Sequence, residues 1–520
     1  MKKNKNEKAA EKKGRVVLNR KVNVLTVILS VLMFACFGLF FAARWYFLTY
    51  GDIGFESIMF TMLSGLNGVQ SGLISDYIVK GLIPTVLCWA VCSFFVFFES
   101  DKKIVLKLFK KIKLRIYPFN RIVQCVLVVV LSVALAVGGA HSVSLFEYIE
   151  YQRNPSEIYE EKYIDPMSVK VEFPQEKRNL IYIFVESLET TFLSTEHGGA
   201  SDKELMPELY NMALENVNFS THDKVGGAYA VNGTTWTAGA LVAHTAGIPL
   251  KTSFGMADNT YGADSFLPGA NSIMDILKAN GYYQTLMFGS DATFANRDVY
   301  YKIHGVDKVY DYFTAKSDGI IAEDYYAWWG MEDKYLFEYA KQELPKLAAM
   351  DQPFAFNMLT VDTHHIGGYM CEYCKNDYQE QYENVISCAS RQVYEFVEWI
   401  KTQDFYENTT IVVTGDHPTM DSGYITRNIK IPYDRTVYDC FINSAVITDN
   451  VKNRAFTPMD MMPTTLAALG CGIEGERLGL GTNLFSTTPT LAEEMGIHEF
   501  RIEMSKASDY YTKQFIYGTR

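Results

Sequence analysis

Three apolar runs in the first 146 residues constrain this chain more than any other feature. Residues 24–43 (VLTVILSVLMFACFGLFFAA) carry no charge and are long enough to cross a bilayer as one helix. Residues 81–98 (GLIPTVLCWAVCSFFVFF) form a shorter second run that contains Pro84, and residues 122–146 form a third. A cleaved signal peptide accounts for one such run but not for three. Buried helices of a soluble core do not come flanked by lysine clusters. The chain is therefore expected to hold three membrane-spanning helices.

The basic residues set a direction. Residues 2–21 are dense in Lys and Arg, as is the segment DKKIVLKLFKKIKLR at 101–115, whereas the stretch between the first two runs is nearly free of them. The excess of Lys and Arg belongs on the cytoplasmic side. Four regions follow: a basic cytoplasmic tail at 1–21, a three-helix transmembrane region at 22–147, a polar Pro-broken linker at 148–178, and an extracytoplasmic domain at 179–520. Residues 55–63 (FESIMFTML) read as an interfacial helix or as an ordinary loop helix. The formal net charge of -12 argues against nucleic acid as a partner.

Beyond residue 179, short apolar runs alternate with helical patterns. Residues 180–185 (LIYIFV), 284–288 (QTLMF), 354–361 (FAFNMLTV) and 410–413 (TIVV) read as buried strands, and residues 272–279 and 390–401 as helices. This alternation predicts an α/β domain with a central, mostly parallel sheet covered by helices. Chemistry-bearing residues follow each strand: Glu186 after the first, Gly289-Ser290-Asp291 after the second, Asp362-Thr363-His364-His365 after the third and Gly415-Asp416-His417 after the fourth. Ligands of open α/β sheets bind beyond the carboxyl ends of the strands, so these residues are expected to share one site.

Glu186, Asp416 and His417 combine hard oxygen with imidazole, a mixture that suits zinc or manganese better than magnesium or calcium. Residues 231–243 (VNGTTWTAGALVA) place a turn at Gly233 before an Ala-rich helical run that starts at Thr237. A hydroxyl there either caps the helix or lies in its positive field beside a phosphate. Metal coordination would activate it as a nucleophile. Thr235, two residues away, is the runner-up. Five of the nine cysteines, Cys371, Cys374, Cys388, Cys440 and Cys471, fall in the outer domain. Cys371 and Cys374 form a C-x-x-C without a second pair, which is half of a zinc pattern. If this region faces an oxidising compartment, a local disulfide involving Cys388 is preferred over a zinc site.

The set V-E-S at 185–187, G-T-T-W-T at 233–237, W-G-M-E-D at 329–333, T-V-D-T-H at 360–364 and G-D-H at 415–417 resembles the phosphoglycerol transferases of the alkaline phosphatase and sulfatase superfamily. That group includes lipoteichoic acid synthases and periplasmic enzymes that modify membrane-derived glucans. I-P-L at 248–250, residues 294–301 (FANRDVYY) and residues 456–464 (FTPMDMMPT) extend the likeness. The resemblance implies a multi-pass protein of the bacterial plasma membrane. It implies one divalent metal, Mn2+ first with Zn2+ or Mg2+ as alternatives, held by Glu186, Thr237, Asp416 and His417. Thr237 is then the nucleophile, and His364 and Arg297 hold the phosphoglycerol group, with His364 also assisting proton transfer. The implied donor is phosphatidylglycerol, and the implied acceptor a cell-envelope glycan or a teichoic-acid-type polymer. Two departures stand out. Ala295 occupies the place of a tryptophan in the synthases, and three apolar runs replace their five.

Two enzymatic rivals share the superfamily. A phosphoethanolamine transferase is disfavoured because T-A-G-A-L-V-A follows Thr237 in place of T-A-x-S-x-P-C, and a sulfatase-type hydrolase because C-x-P-S-R is missing. A non-catalytic envelope polymer-binding protein is the third alternative, and the intact Glu186, Thr237, Asp416, His417 set speaks against it.

Overall fold

The computed structural model describes residues 17–18, 24–51, 54–64, 71–99, 104–108, 112–117, 121–252, 261–262, 265–430 and 432–518. The basic tail expected at 1–21 lies outside these residues except for Val17 and Leu18. The chain divides into two compact units, Met1–Phe47 with Ser71–Val143, and Leu48–Gln70 with Ser144–Arg520.

Among the described residues, three helices are long and apolar enough to cross a membrane: Val27–Tyr50, Gly72–Phe94 and Cys125–Ser142. The second begins nine residues before the apolar run does. Its first turns carry Asp76 and Lys80, whose charges hide them from a hydropathy reading but pair at 2.7 Å one helical turn apart. Asp76 also accepts a 2.9 Å hydrogen bond from Trp45 Nε1. Pro84 does not break this helix. A wide turn at Ile78–Leu82 precedes it and absorbs the missing amide, and Thr85 Oγ1 satisfies the Gly81 carbonyl at 2.8 Å.

The second unit is built on a seven-stranded sheet. In chain order its strands are β1 (Asn179–Val185), β2 (Gly227–Tyr229), β3 (Tyr283–Phe288), β4 (Lys308–Tyr310), β5 (Phe354–Leu359), β6 (Thr409–Gly415) and β7 (Thr436–Ile442). Their spatial order is β2-β7-β6-β1-β5-β3-β4. The five strands from β6 to β4 run parallel, while β7 is antiparallel to β6 and β2 to β7, so the sheet is mixed at one end. All four apolar runs singled out in the sequence are central parallel strands. β2 and β4 span three residues each and are too short to show a period.

Alternation along β1 explains why both faces are covered. Leu180, Tyr182 and Phe184 enter one core cluster, and Ile181, Ile183 and Val185 enter the other. Four helices matter for the site: α1 (Phe55–Ser64), α2 (Thr237–Ala246), α3 (Asp333–Ala348) and α4 (Gln381–Lys401). α1 and α2 serve the first cluster, α3 and α4 the second. Residues 145–162, polar and Pro-broken in sequence, form helices Leu145–Arg153 and Ile158–Lys162, and Tyr159 is buried against Tyr511 and Phe515.

Candidate metal centre and phosphoryl site

Register fixes the site. Gly415 at the end of β6 pairs with Val185 at the end of β1, so the next residues, Asp416 and Glu186, emerge side by side. His417 Nε2 lies 3.3 Å from Asp416 Oδ2 and 3.5 Å from Glu186 Oε1. The three side chains are fully buried and offer ligand atoms within 4.8 Å of one another. A fourth group comes from α2: Thr237 Oγ1 stands 3.3 Å from His417 Nε2. Trp236, not Thr237, occupies the cap position of that helix. The Thr237 hydroxyl is thus free of a capping role and faces the cluster.

Hydrogen bonding leaves this cluster short of positive charge. Asp416 Oδ1 accepts the Ser187 amide at 2.7 Å and the His417 amide at 2.8 Å, and Ser187 Oγ donates to Glu186 Oε1 at 2.8 Å. Ser187 reaches both carboxylates because it adopts a left-handed φ of 54°. Glu186 Oε2 and Asp416 Oδ2 remain buried without a partner. Burial, and then the charge of Asp416, push the Glu186 carboxyl well above its usual range. His417 Nδ1 donates to the Pro418 carbonyl at 2.9 Å, which turns the Nε2 lone pair inward. Two orphaned carboxylate oxygens, an imidazole lone pair and a hydroxyl converge, and the hydroxyl proton is the sole donor these four groups offer. That donor set fits a divalent cation.

Arg297 follows β3 and is buried. Its Nη2 donates to Ser290 Oγ at 2.9 Å and to the Asp291 carbonyl at 2.8 Å, and its Nε to the Phe294 carbonyl at 3.1 Å. Nη1 has no partner. The guanidinium lies 4.3 Å from the Phe288 ring centroid. Burial pulls its pKa down to about 10, opposed first by the charge of Glu186, so it stays cationic at neutral pH. A fixed cation with one free N–H pair beside buried carboxylates suits a phosphoryl oxygen. Ala295 and Asn296 both hold positive φ, 57° and 52°, and Asn296 Nδ2 ties the turn to the Ser64 and Tyr261 carbonyls at 2.7 and 2.6 Å.

His364 follows β5. Its Nδ1 donates to the His365 carbonyl at 2.8 Å, and its ring lies 4.2 Å from Trp329 and 5.9 Å from Trp328. Burial lowers its pKa to about 3, so the imidazole is neutral and presents Nε2 as an acceptor. Trp328 also stacks on Tyr369. Every site residue anticipated from the sequence therefore lies at the carboxyl end of the parallel strands or at the start of α2. Thr235 does not join them: its Oγ1 is buried without a partner, and Thr237 faces His417 instead.

Three hydroxyl residues that the sequence reading placed in the strand-end runs, without a role, support the site. Thr360 Oγ1 accepts the Glu186 amide at 3.0 Å, Thr363 Oγ1 donates to the Glu186 carbonyl, and Ser290 orients Arg297. Each is a lone hydroxyl at a strand end, marked in the sequence by that position alone, which says nothing of its partner.

A family profile described as Sulfatase matches residues 178–471, more than half of the chain. The phosphoglycerol transferase I of Xanthomonas campestris pv. campestris is 30% identical over 323 residues, which cover 60% of this chain and 43% of that protein. The phosphoglycerol transferase I of Escherichia fergusonii is 33% identical over 256 residues, covering 48% and 32%. This chain thus spans less than half the length of either relative. Among solved structures, the lipoteichoic acid synthase LtaP from Listeria monocytogenes superposes with a TM-score of 0.48 at 19% identity, covering 61% of this chain and 79% of that one.

Proposed function

The chain belongs to the sulfatase family, and from that premise we propose that it is a membrane-anchored phosphoglycerol transferase. It moves glycerol phosphate from phosphatidylglycerol to a cell-envelope glycan or polyglycerol-phosphate acceptor. The observation that carries this reading is the Thr237 hydroxyl, uncapped and 3.3 Å from His417 Nε2, beside carboxylate oxygens that lack partners. The names of the relatives support the class of group transferred.

Glu186, Thr237, Asp416 and His417 would hold one divalent cation, with manganese the first candidate and zinc or magnesium the alternatives. When bound, such a cation lowers the pKa of a ligating hydroxyl and neutralises phosphoryl oxygens. The residues of the chain do the rest. Thr237 Oγ attacks phosphorus, the bond from phosphorus to the diacylglycerol oxygen breaks, and that oxygen leaves as diacylglycerol after taking up a proton. A glycerophospho-threonine remains. An acceptor hydroxyl then attacks the same phosphorus, its proton passes toward the neutral Nε2 of His364, and Thr237 Oγ departs and is reprotonated. Arg297 Nη1 donates to a phosphoryl oxygen as charge develops. Trp328, Trp329 and Tyr369 offer an apolar wall beside His364 for the glycerol or an acceptor sugar.

The location proposed is the bacterial plasma membrane, multi-pass, with the N-terminus cytoplasmic and the catalytic unit outside. A lipid donor makes the anchor useful, because tethering raises the local concentration of the site at the bilayer.

Mass spectrometry of the purified chain after incubation with phosphatidylglycerol and manganese, beside Thr237→Ala, tests the reading. A glycerophosphate adduct on Thr237, with diacylglycerol released only by the unaltered chain, is the expected result. Neither product from a chain that holds metal overturns the donor. An adduct formed instead from phosphatidylethanolamine turns the assignment to phosphoethanolamine transfer.

A further inference from the structure

A second cluster of soft ligands lies away from the Thr237 centre. Cys371 and Cys374, in the loop after β5, meet Cys388 on α4. Cys371 Sγ is 3.6 Å from Cys374 Sγ and 3.7 Å from Cys388 Sγ. Cys371 and Cys388 are buried and Cys374 is half-buried. We propose that these three thiols form a zinc site that staples the loop carrying His364 to helix α4.

Three observations support it. First, the spacing is that of ligands rather than of a bonded pair. A disulfide brings its sulfurs to about 2.0 Å, whereas Cys371 here is almost equidistant from two partners. With Zn–S bonds of about 2.3 Å, tetrahedral geometry sets the sulfur–sulfur edge near 3.8 Å. Second, Cys371 and Cys374 sit on a tight turn, closed by the Cys374 amide donating to the Cys371 carbonyl at 3.1 Å. That turn brings two thiols onto one side of the chain. Third, the sulfurs are met by donors. Gln392 Nε2 approaches Cys388 Sγ at 3.4 Å and Cys371 Sγ at 3.9 Å, and Arg391 Nη2 approaches Cys388 Sγ at 3.6 Å while also bonding the Tyr373 carbonyl at 2.6 Å. Amide and guanidinium donors aimed at sulfur stabilise thiolate charge, the form that binds metal. Soft thiolates favour zinc over the hard cations that a carboxylate-rich centre accepts. Cys440 and Cys471, also buried, take no part.

The site lies seven residues beyond His364 in sequence and fixes the far end of its loop. Tyr382 Oη, also on α4, donates to the Thr363 carbonyl at 3.0 Å at the near end. One helix thus grips the loop on both sides of His364. Binding at the thiols releases their protons and leaves the sulfur oxidation state unchanged.

The test is elemental analysis of the full chain purified in detergent, beside Cys388→Ser and Asp416→Asn, together with thiol titration after denaturation in chelator without reductant. The expected result is one equivalent of zinc that Cys388→Ser loses and Asp416→Asn keeps, with all nine cysteines of the chain titrating as thiols. Seven thiols without reductant and nine with it would show a disulfide and overturn the proposal, as would equal zinc in Cys388→Ser and the unaltered chain. Should Cys388→Ser fail to fold, cobalt substitution of the unaltered chain decides. A thiolate-to-cobalt charge-transfer band supports the site, and its absence from cobalt-loaded protein refutes it.

Discussion

At the scale of single residues, Arg297 is the group whose surroundings say most about what it meets. Ser290 Oγ and two carbonyls fix its fork and leave Nη1 unpaired in a buried place. A lysine at this position is a point charge that cannot hold those three acceptors and still reach an anion. Arg297→Lys is expected to lower kcat/KM for diacylglycerol release by roughly 100-fold, the scale of losing one preorganised donor to developing charge. A change within twofold, in protein that unfolds at the normal temperature, would remove Arg297 from the phosphoryl site. The threonines give a paired test. Thr237→Ala is expected to abolish adduct formation. Thr235→Ala, whose hydroxyl has no partner and does not face His417, is expected to keep kcat/KM within about threefold. Steady-state rates on the two variants separate them. If Thr235→Ala is the dead one, the nucleophile has been misassigned.

Helix α2 and the turn before it show how an element aims the hydroxyl proposed as the nucleophile. Gly233 adopts a φ of +84°, and a Cβ there would meet Pro249 Cβ at 2.7 Å and the Leu250 carbonyl oxygen at 2.8 Å. Gly233→Ala is therefore expected to cost roughly 2 kcal/mol through backbone strain and crowding. It should also lower turnover, because Thr237 lies four residues on; thermal unfolding and rate assays read the two effects. The same helix carries a built-in acid lability. His244 is fully buried with Nδ1 3.0 Å from Tyr182 Oη and Nε2 without a partner, and burial lowers its pKa to about 3. The unfolded chain takes up a proton near pH 6.5 while the folded chain does not, so stability is complete above pH 6.5 and falls as pH drops toward 3. The slope contributed is about 1.4 kcal/mol per pH unit at most. His244→Gln is expected to flatten the dependence of unfolding temperature on pH between 6.5 and 4.5, and an unchanged slope would sink the idea. These elements also mark what was legible in the sequence. The strands β1, β3, β5 and β6 announced themselves because they are buried on both faces and read as unbroken apolar runs. Because the strands are parallel, reading the few residues that follow each one found Glu186, His364 and Asp416 together. β2 and β4 stayed silent because three residues carry no period, and His244 stayed silent because a buried histidine in an Ala-rich helix looks like any other core position.

For the whole molecule, the least legible feature is α1, which lies in sequence between the first two long apolar helices and yet belongs to the second unit. Phe60 packs against Trp236, Tyr261 and Phe266 with ring centroids 5.4 to 6.1 Å apart, and Glu56 Oε1 accepts the Thr252 amide at 2.7 Å. Nothing local in FESIMFTML reports this, since a helix that buries one face against a distant segment looks like a helix that lies on a lipid surface. The packing has a topological consequence. If those helices cross the membrane as proposed, a segment that joins them can be part of the second unit only if it emerges on the same side as that unit. We propose that this side is the outside, because basic residues are sparse in this segment and dense in the tail and the 101–115 stretch. An epitope placed after residue 518 should therefore be reached by antibody on intact spheroplasts, and one at the N-terminus only after permeabilisation; the reverse pattern would overturn the orientation. Energetics give the sharper test of the packing itself. Removing a buried phenylalanine costs about 3 to 5 kcal/mol, and Phe60 touches the residue that caps α2. Phe60→Ala is thus expected to lower the unfolding temperature of residues 144–518, followed in detergent by the protease resistance of that portion, and to reduce turnover together with it. A surface-lying α1 predicts something else: Phe60→Ala would weaken contact with lipid and leave both the protease resistance and the rate untouched.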